Sequence, residues 1–182
     1  VGAYTVFANR GIRVEPLYVT RIEDSFGNTI ANFTPQMSEV LTEDAAYKML
    51  HLLKSVIDGG TGGRIRGRYG IKAEMGGKTG TTQNNSDGWF MGFTPCLVSG
   101  CWVGGEDRSI HFDRLAEGQG ASMALPIYAL FMKKVYADPS LGYTESESFE
   151  IPERFADPCG DGEEAEKPAT EPDTGGIDKM FE

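Results

Sequence analysis

Apolar residues along the chain recur in short blocks punctuated by glycine, proline and charge. Residues 1–9 are apolar with small residues between them and end at Arg10-Gly11, where glycine suits the turn that closes a helix. Residues 17–24 and 29–33 are rich in strand formers and flank Phe26-Gly27-Asn28, which predicts a hairpin. Thr42 then stands where an N-cap belongs, with Glu43 and Asp44 against the positive end of a helix. Ala46, Met49, Leu50, Leu53 and Ile57 recur at helical spacing and predict one buried face. Asp44, Lys48, His51 and Ser55 fall on the opposite, wet face, and Gly59-Gly60 stops the helix.

Residues 59–80 hold nine glycines together with Arg64, Arg66, Arg68, Lys72 and Lys78, which predicts a mobile, positive loop leading into a strand. Two apolar-aromatic strands follow at 88–94 and 97–104, joined by a short turn around Pro95 and Gly100. A second amphipathic helix runs from about 125 to 136, with Pro126 in its first turn, where a missing N–H costs little. Tyr128, Phe131, Met132 and Val135 supply its packing face. Antiparallel strands with helices set apart predict an α+β fold, an antiparallel sheet flanked by helices.

At 182 residues and 40% hydrophobic, the chain can bury one ordinary core. No apolar run approaches the roughly 18–20 residues of a membrane span. Val1 already lies inside an element, so the chain is read as a piece of a longer protein. The charge is unevenly spread. Residues 1–144 hold 14 acidic and 14 basic side chains, whereas residues 145–182 hold 13 acidic and 3 basic, which accounts for the net −10. A neutral body with an acidic tail does not suit a nucleic-acid partner. The chain therefore divides into a body, 1–143, and an acidic tail, 144–182, whose Pro152, Pro158, Pro168 and Pro172 favour a solvated segment. The alternative is a short docked stretch at Phe149 and Ile151 or an anchor at Met180 and Phe181. Three cysteines make no disulfide framework; Cys96 and Cys101 are either small apolar thiols or a bridge across the hairpin. Their spacing is not a metal pattern and His51 and His111 lie far apart, so no metal or other cofactor is expected.

The stretch with chemistry in it is Gly76-Gly77-Lys78-Thr79-Gly80-Thr81-Thr82. On a regular strand, Lys78 and Gly80 share one face and Thr79 and Thr81 the other. Glycine at 80 leaves room for another backbone to pair by strand addition. Threonine hydroxyls donate to a carboxylate, a nearby ammonium strengthens that grip, and free edge N–H groups stabilise an oxyanion. Together they suit a peptide that ends in a free carboxylate and is attacked at the neighbouring carbonyl. A phosphate loop is excluded, because its first glycine would fall at position 72, which is Lys72.

Lys78-Thr79-Gly80-Thr81-Thr82, followed by residues 87–95 (DGWFMGFTP) and 100–104 (GCWVG), resembles the C-terminal part of the transpeptidase domain of class A penicillin-binding proteins. Residues 2–11 (GAYTVFANRG), Gly60-Thr61-Gly62 and Ala124-Leu125-Pro126-Ile127 fit the same family, and the resemblance covers about 1–137. It implies a partial serine β-lactamase/transpeptidase-like fold and a fragment of a bifunctional peptidoglycan synthase. It implies as partners the D-Ala-D-Ala end of a peptidoglycan stem peptide, β-lactam antibiotics and the upstream half of the same domain. Lys78 would hold the terminal carboxylate and tune proton transfer, with Thr79 and Thr81 hydroxyls on that carboxylate. Gly80 would let the peptide lie against the strand, and the Thr81 N–H would form half of the oxyanion hole. Lys78 and Thr81 are thus the catalytic candidates, and Lys78, Thr79, Gly80 and Thr81 the substrate-binding ones. Trp89 and Phe90 are read as packing residues. The implied location is the extracytoplasmic face of the cell membrane, held by an anchor not present in this chain.

The departures are equally definite. No serine in the chain has a lysine three residues on, and Ser86-Asp87-Gly88 only approaches the family's Ser-x-Asn. Nucleophile, base and second oxyanion donor are therefore expected upstream of Val1, and the chain alone is expected to be inactive. The alternatives are part of a β-lactamase or β-lactam sensor, and a non-catalytic module that holds peptide termini.

Overall fold

A computed structural model describes residues 1–152. Pro158, Pro168, Pro172, Met180 and Phe181 of the expected acidic tail lie outside these residues. The chain opens with a 3₁₀ turn, Gly2–Tyr4, and a short helix α1, Thr5–Ala8, closed by Arg10 and Gly11 at positive φ. Strand β1, Ile12–Val14, pairs antiparallel with β4, Met37–Glu39. Between them β2, Arg21–Glu23, and β3, Thr29–Asn32, form the expected hairpin. The Asp24 carboxylate closes its turn by accepting the N–H groups of Phe26 and Asn28.

Helix α2, Glu43–Asp58, begins where the cap predicts: the Thr42 hydroxyl accepts the Ala45 N–H at 3.3 Å. Ala46, Leu50, Leu53 and Ile57 are buried, but Met49 is exposed, which narrows the expected face by one residue. His51 is half-buried. Strands β5, Gly76–Thr81, β6, Asp87–Phe93, and β7, Val98–Gly104, form an antiparallel sheet in that order, with Lys78 opposite Met91 and Trp89 opposite Trp102. Short helices α3, Arg64–Gly67, and α4, Leu115–Gly118, precede the sheet and the last helix respectively.

Helix α5, Gly120–Ala137, covers one face of the sheet. It is longer than the sequence predicts, and Pro126 lies inside it instead of in its first turn. Its early residues, Gly120, Ala121 and Ala124, are buried because small side chains let the helix sit close on the strands, and that packing outweighs the lost proline N–H. A Cβ at Gly92 would fall 2.3 Å from Tyr128 Cζ, so glycine there is what admits the Tyr128 ring. Phe131, expected in the packing face, is 44% exposed; Ala129 takes its place in the core.

Alternation along β6 sends Phe90 toward α5 and Phe93 to the opposite face. Phe90, Tyr128, Met132, Ile57, Ile65, Ile71 and Met75 share the main core. Phe93 packs with Leu50, Leu53, Tyr4, Phe7 and Phe149 in a second cluster. Residues 59–80 are therefore not a mobile loop. Ile65, Ile71, Ala73 and Met75 are buried, and the Arg66 guanidinium donates to the carbonyls of Ile71 and Ala73 and to Asp58. Of the acidic segment, Phe149 is docked: its N–H donates to Glu74, which also pairs with Lys54, and its ring packs edge-on to Phe93. The Lys72 N–H donates to Glu145, while Ile151 stays exposed. Cys96 and Cys101 are free; Cys96 lies exposed after Pro95, and Gly100 sits within β7, not in the turn. Burial pushes the Cys101 thiol up; slight desolvation and then the neighbouring Glu147 carboxylate push the more exposed Cys96 thiol the same way.

Candidate functional site

Strand β5 lies at the edge of the three-stranded sheet. Its first residues, Gly76 and Gly77, are buried, and its last four come to the surface. Lys78 is exposed on the face shared with Met91, and its Nζ donates to the Thr79 carbonyl at 2.7 Å. Thr79 and Thr81 project toward the α5 side, as the alternation predicts. The Thr79 hydroxyl is 2.9 Å from the Thr61 hydroxyl. The Thr81 hydroxyl accepts the Gly120 N–H at 3.1 Å. The Thr82 N–H donates to the Asp87 carbonyl, so by strand alternation the Thr79 and Thr81 N–H groups point away from β6, toward the open edge.

Lys78, Thr79, Gly80 and Thr81 are thus brought together on one accessible ribbon. Among the described residues, a Cβ at Gly80 would meet only Trp89 Cβ, at 3.2 Å. Phe90 is fully buried as expected, whereas Trp89 is 44% exposed and lies on the Lys78 side of the sheet. Arg64 and the start of α5 are neighbours that the pattern of the sequence did not assign to the site. The Arg64 guanidinium donates to the Ala121 carbonyl and the Ser122 hydroxyl, both at 3.1 Å. Its position in a glycine-rich basic run was the available signal, but nothing in that run points to residues 57 positions away.

A family model described as the penicillin-binding protein transpeptidase domain matches residues 1–97, more than half of the chain. The chain belongs to the penicillin-binding protein transpeptidase family. Among its relatives, penicillin-binding protein 1A of Aquifex aeolicus is 34% identical over 150 residues, covering 82% of this chain and 19% of that protein. The crystal structure of penicillin-binding protein 1A from Haemophilus influenzae superposes with a TM-score of 0.70 at 25% identity, over 84% of this chain and 27% of the other. Penicillin-binding protein A of Mycobacterium tuberculosis, solved as its imipenem acyl-enzyme complex, shares the fold at 19% identity and a TM-score of 0.53, over 72% of this chain and 29% of the other. The chain spans about a fifth of the length of the curated relatives it matches. It is a fragment of a penicillin-binding protein 1A-type transpeptidase domain, and the mixed helix and antiparallel-sheet architecture matches that family.

Proposed function

We propose that this chain supplies the carboxylate-gripping edge strand of a serine D,D-transpeptidase that cross-links peptidoglycan. The Lys78 ammonium and the Thr79 and Thr81 hydroxyls bind the carboxylate of a D-alanine-terminated stem peptide or of a β-lactam. The peptide backbone lies against Gly80, and the Thr81 N–H stabilises the oxyanion as the acyl carbon is attacked. The attacking serine, its lysine and the second oxyanion donor come from an upstream Ser-x-x-Lys and Ser-x-Asn. A glycosyltransferase domain and a membrane anchor precede them in a bifunctional synthase that works outside the cytoplasmic membrane. Among the described residues, no helix is long and apolar enough to cross a membrane.

The observation that carries this reading is the open edge of β5, with Lys78 exposed and alternate N–H groups turned away from β6. The test is Lys78→Ala in the full-length protein. Acylation by a fluorescent penicillin is expected to fall by about 100-fold or more, as for loss of one preorganised charge at a reacting centre. Labelling at the unaltered rate would refute the role assigned to Lys78.

A further inference from the structure

We infer that Thr61 is a positioning residue, which aims the Thr79 hydroxyl proton at the acyl donor's carboxylate; this rests on the function proposed above. The two hydroxyl oxygens are 2.9 Å apart. Each hydroxyl has one proton, so only one of the pair donates to the other. A carboxylate accepts and cannot donate. With the ligand bound, Thr79 spends its proton on the carboxylate, and the remaining bond must run from Thr61 to Thr79. Thr61 thereby fixes the Thr79 rotor in the donating orientation. Thr81 is held by the same logic: it accepts the Gly120 N–H and keeps its own proton for the ligand.

The seat of Thr61 is rigid for a reason visible in its neighbours. Gly60 and Gly62 fold back over the last turn of α2, donating to the carbonyls of Ser55 at 3.0 Å and Val56 at 2.9 Å. A Cβ at Gly62 would lie 2.9 Å from Ile57 Cδ1, and one at Gly77 would lie 3.0 Å from the same methyl. One side chain therefore sets the gap between the Thr61 loop and β5. Arg64, three residues on, ties the loop to Ala121 and Ser122 beside Gly120. Loop, strand and helix start are locked as one unit, with both strand hydroxyls buttressed from the same side.

The experiment compares acylation rates of the full-length protein with benzylpenicillin and with its methyl ester, for the wild type, Thr61→Val and Thr61→Ser. The wild type is expected to favour the acid strongly. Thr61→Val is expected to lower the acid rate about tenfold, the effect of weakening one charge-assisted hydrogen bond, and to leave the ester rate unchanged. Thr61→Ser, which keeps the hydroxyl, is expected to restore the acid rate. A Thr61→Val enzyme with the wild-type acid-to-ester ratio, or with both rates lowered equally, overturns the inference. A wild type indifferent to esterification overturns instead the carboxylate reading of β5 itself.

Discussion

Tyr136, near the end of α5, shows how a single side chain records the way the body closes. Burial first, and then the carboxylates of Glu145 and Glu147, push its phenol up to about 12. Burial raises Tyr128, two turns earlier, in the same direction. In the unfolded chain both phenols titrate near pH 10. Above that pH the unfolded state releases protons that the folded state keeps, so stability is complete below about pH 10 and declines as pH rises toward 12. Tyr136→Phe removes one of these groups, and the fall in urea midpoint between pH 8 and about 11.5 is expected to be shallower than in the wild type. Equal slopes would show that Tyr136 takes no part. At this scale the motif was legible but its support was not. Lys78-Thr79-Gly80-Thr81 is contiguous and readable, whereas Thr61 meets Thr79 across 18 residues only because Ile57 packs against two glycines.

Among the elements, those specified locally are legible in the sequence, and several of those specified by packing are not. Thr42 caps α2, Gly27 turns the hairpin, and β6 and β7 pair as their apolar runs suggest. The start of α5 was missed because Gly120, Ala121 and Ala124 carry too little apolar surface to mark a buried face, yet close approach to the sheet requires them. The glycine-rich run looks solvent-facing by its charge, which carries no trace of the hydrogen bonds that fold it. Arg66 satisfies two backbone carbonyls that the turn would otherwise leave open, which planar, multi-donor guanidinium is suited to do. The acidic segment divides for a similar reason: its charge says solvent, but Phe149 is 7% exposed and seated on Phe93. Phe149→Ala is accordingly expected to destabilise the body by about 3 kcal/mol, within the usual range for emptying a buried aromatic site. Truncation after Thr144, which removes Phe149 and Glu145, should lower the melting temperature as Phe149→Ala does. A truncation at 144 that melts like the intact chain would remove the segment from the core.

For the whole molecule, the two faces of the sheet are finished differently. The α5 face is closed by Tyr128, Met132 and their neighbours. Among the described residues, the opposite face is closed toward the Phe93 end; toward Gly80, Trp89 and Trp102 stand 44% and 49% exposed with their rings 6.5 Å apart. Isolated exposed apolar residues are ordinary, but a tryptophan pair beside an open edge strand marks a surface meant to be covered. On the fragment reading the cover is the upstream half of the domain. The two readings of the chain then predict opposite signs for one substitution. In the isolated 182-residue chain, Trp102→Lys is expected to reduce dye binding to exposed apolar surface and concentration-dependent association in sedimentation. In the full-length protein the same lysine would lie within the joint, and penicillin labelling is expected to fall. A self-sufficient binding module predicts a monodisperse chain that Trp102→Lys scarcely alters, and a full-length protein that labels normally with the substitution in place.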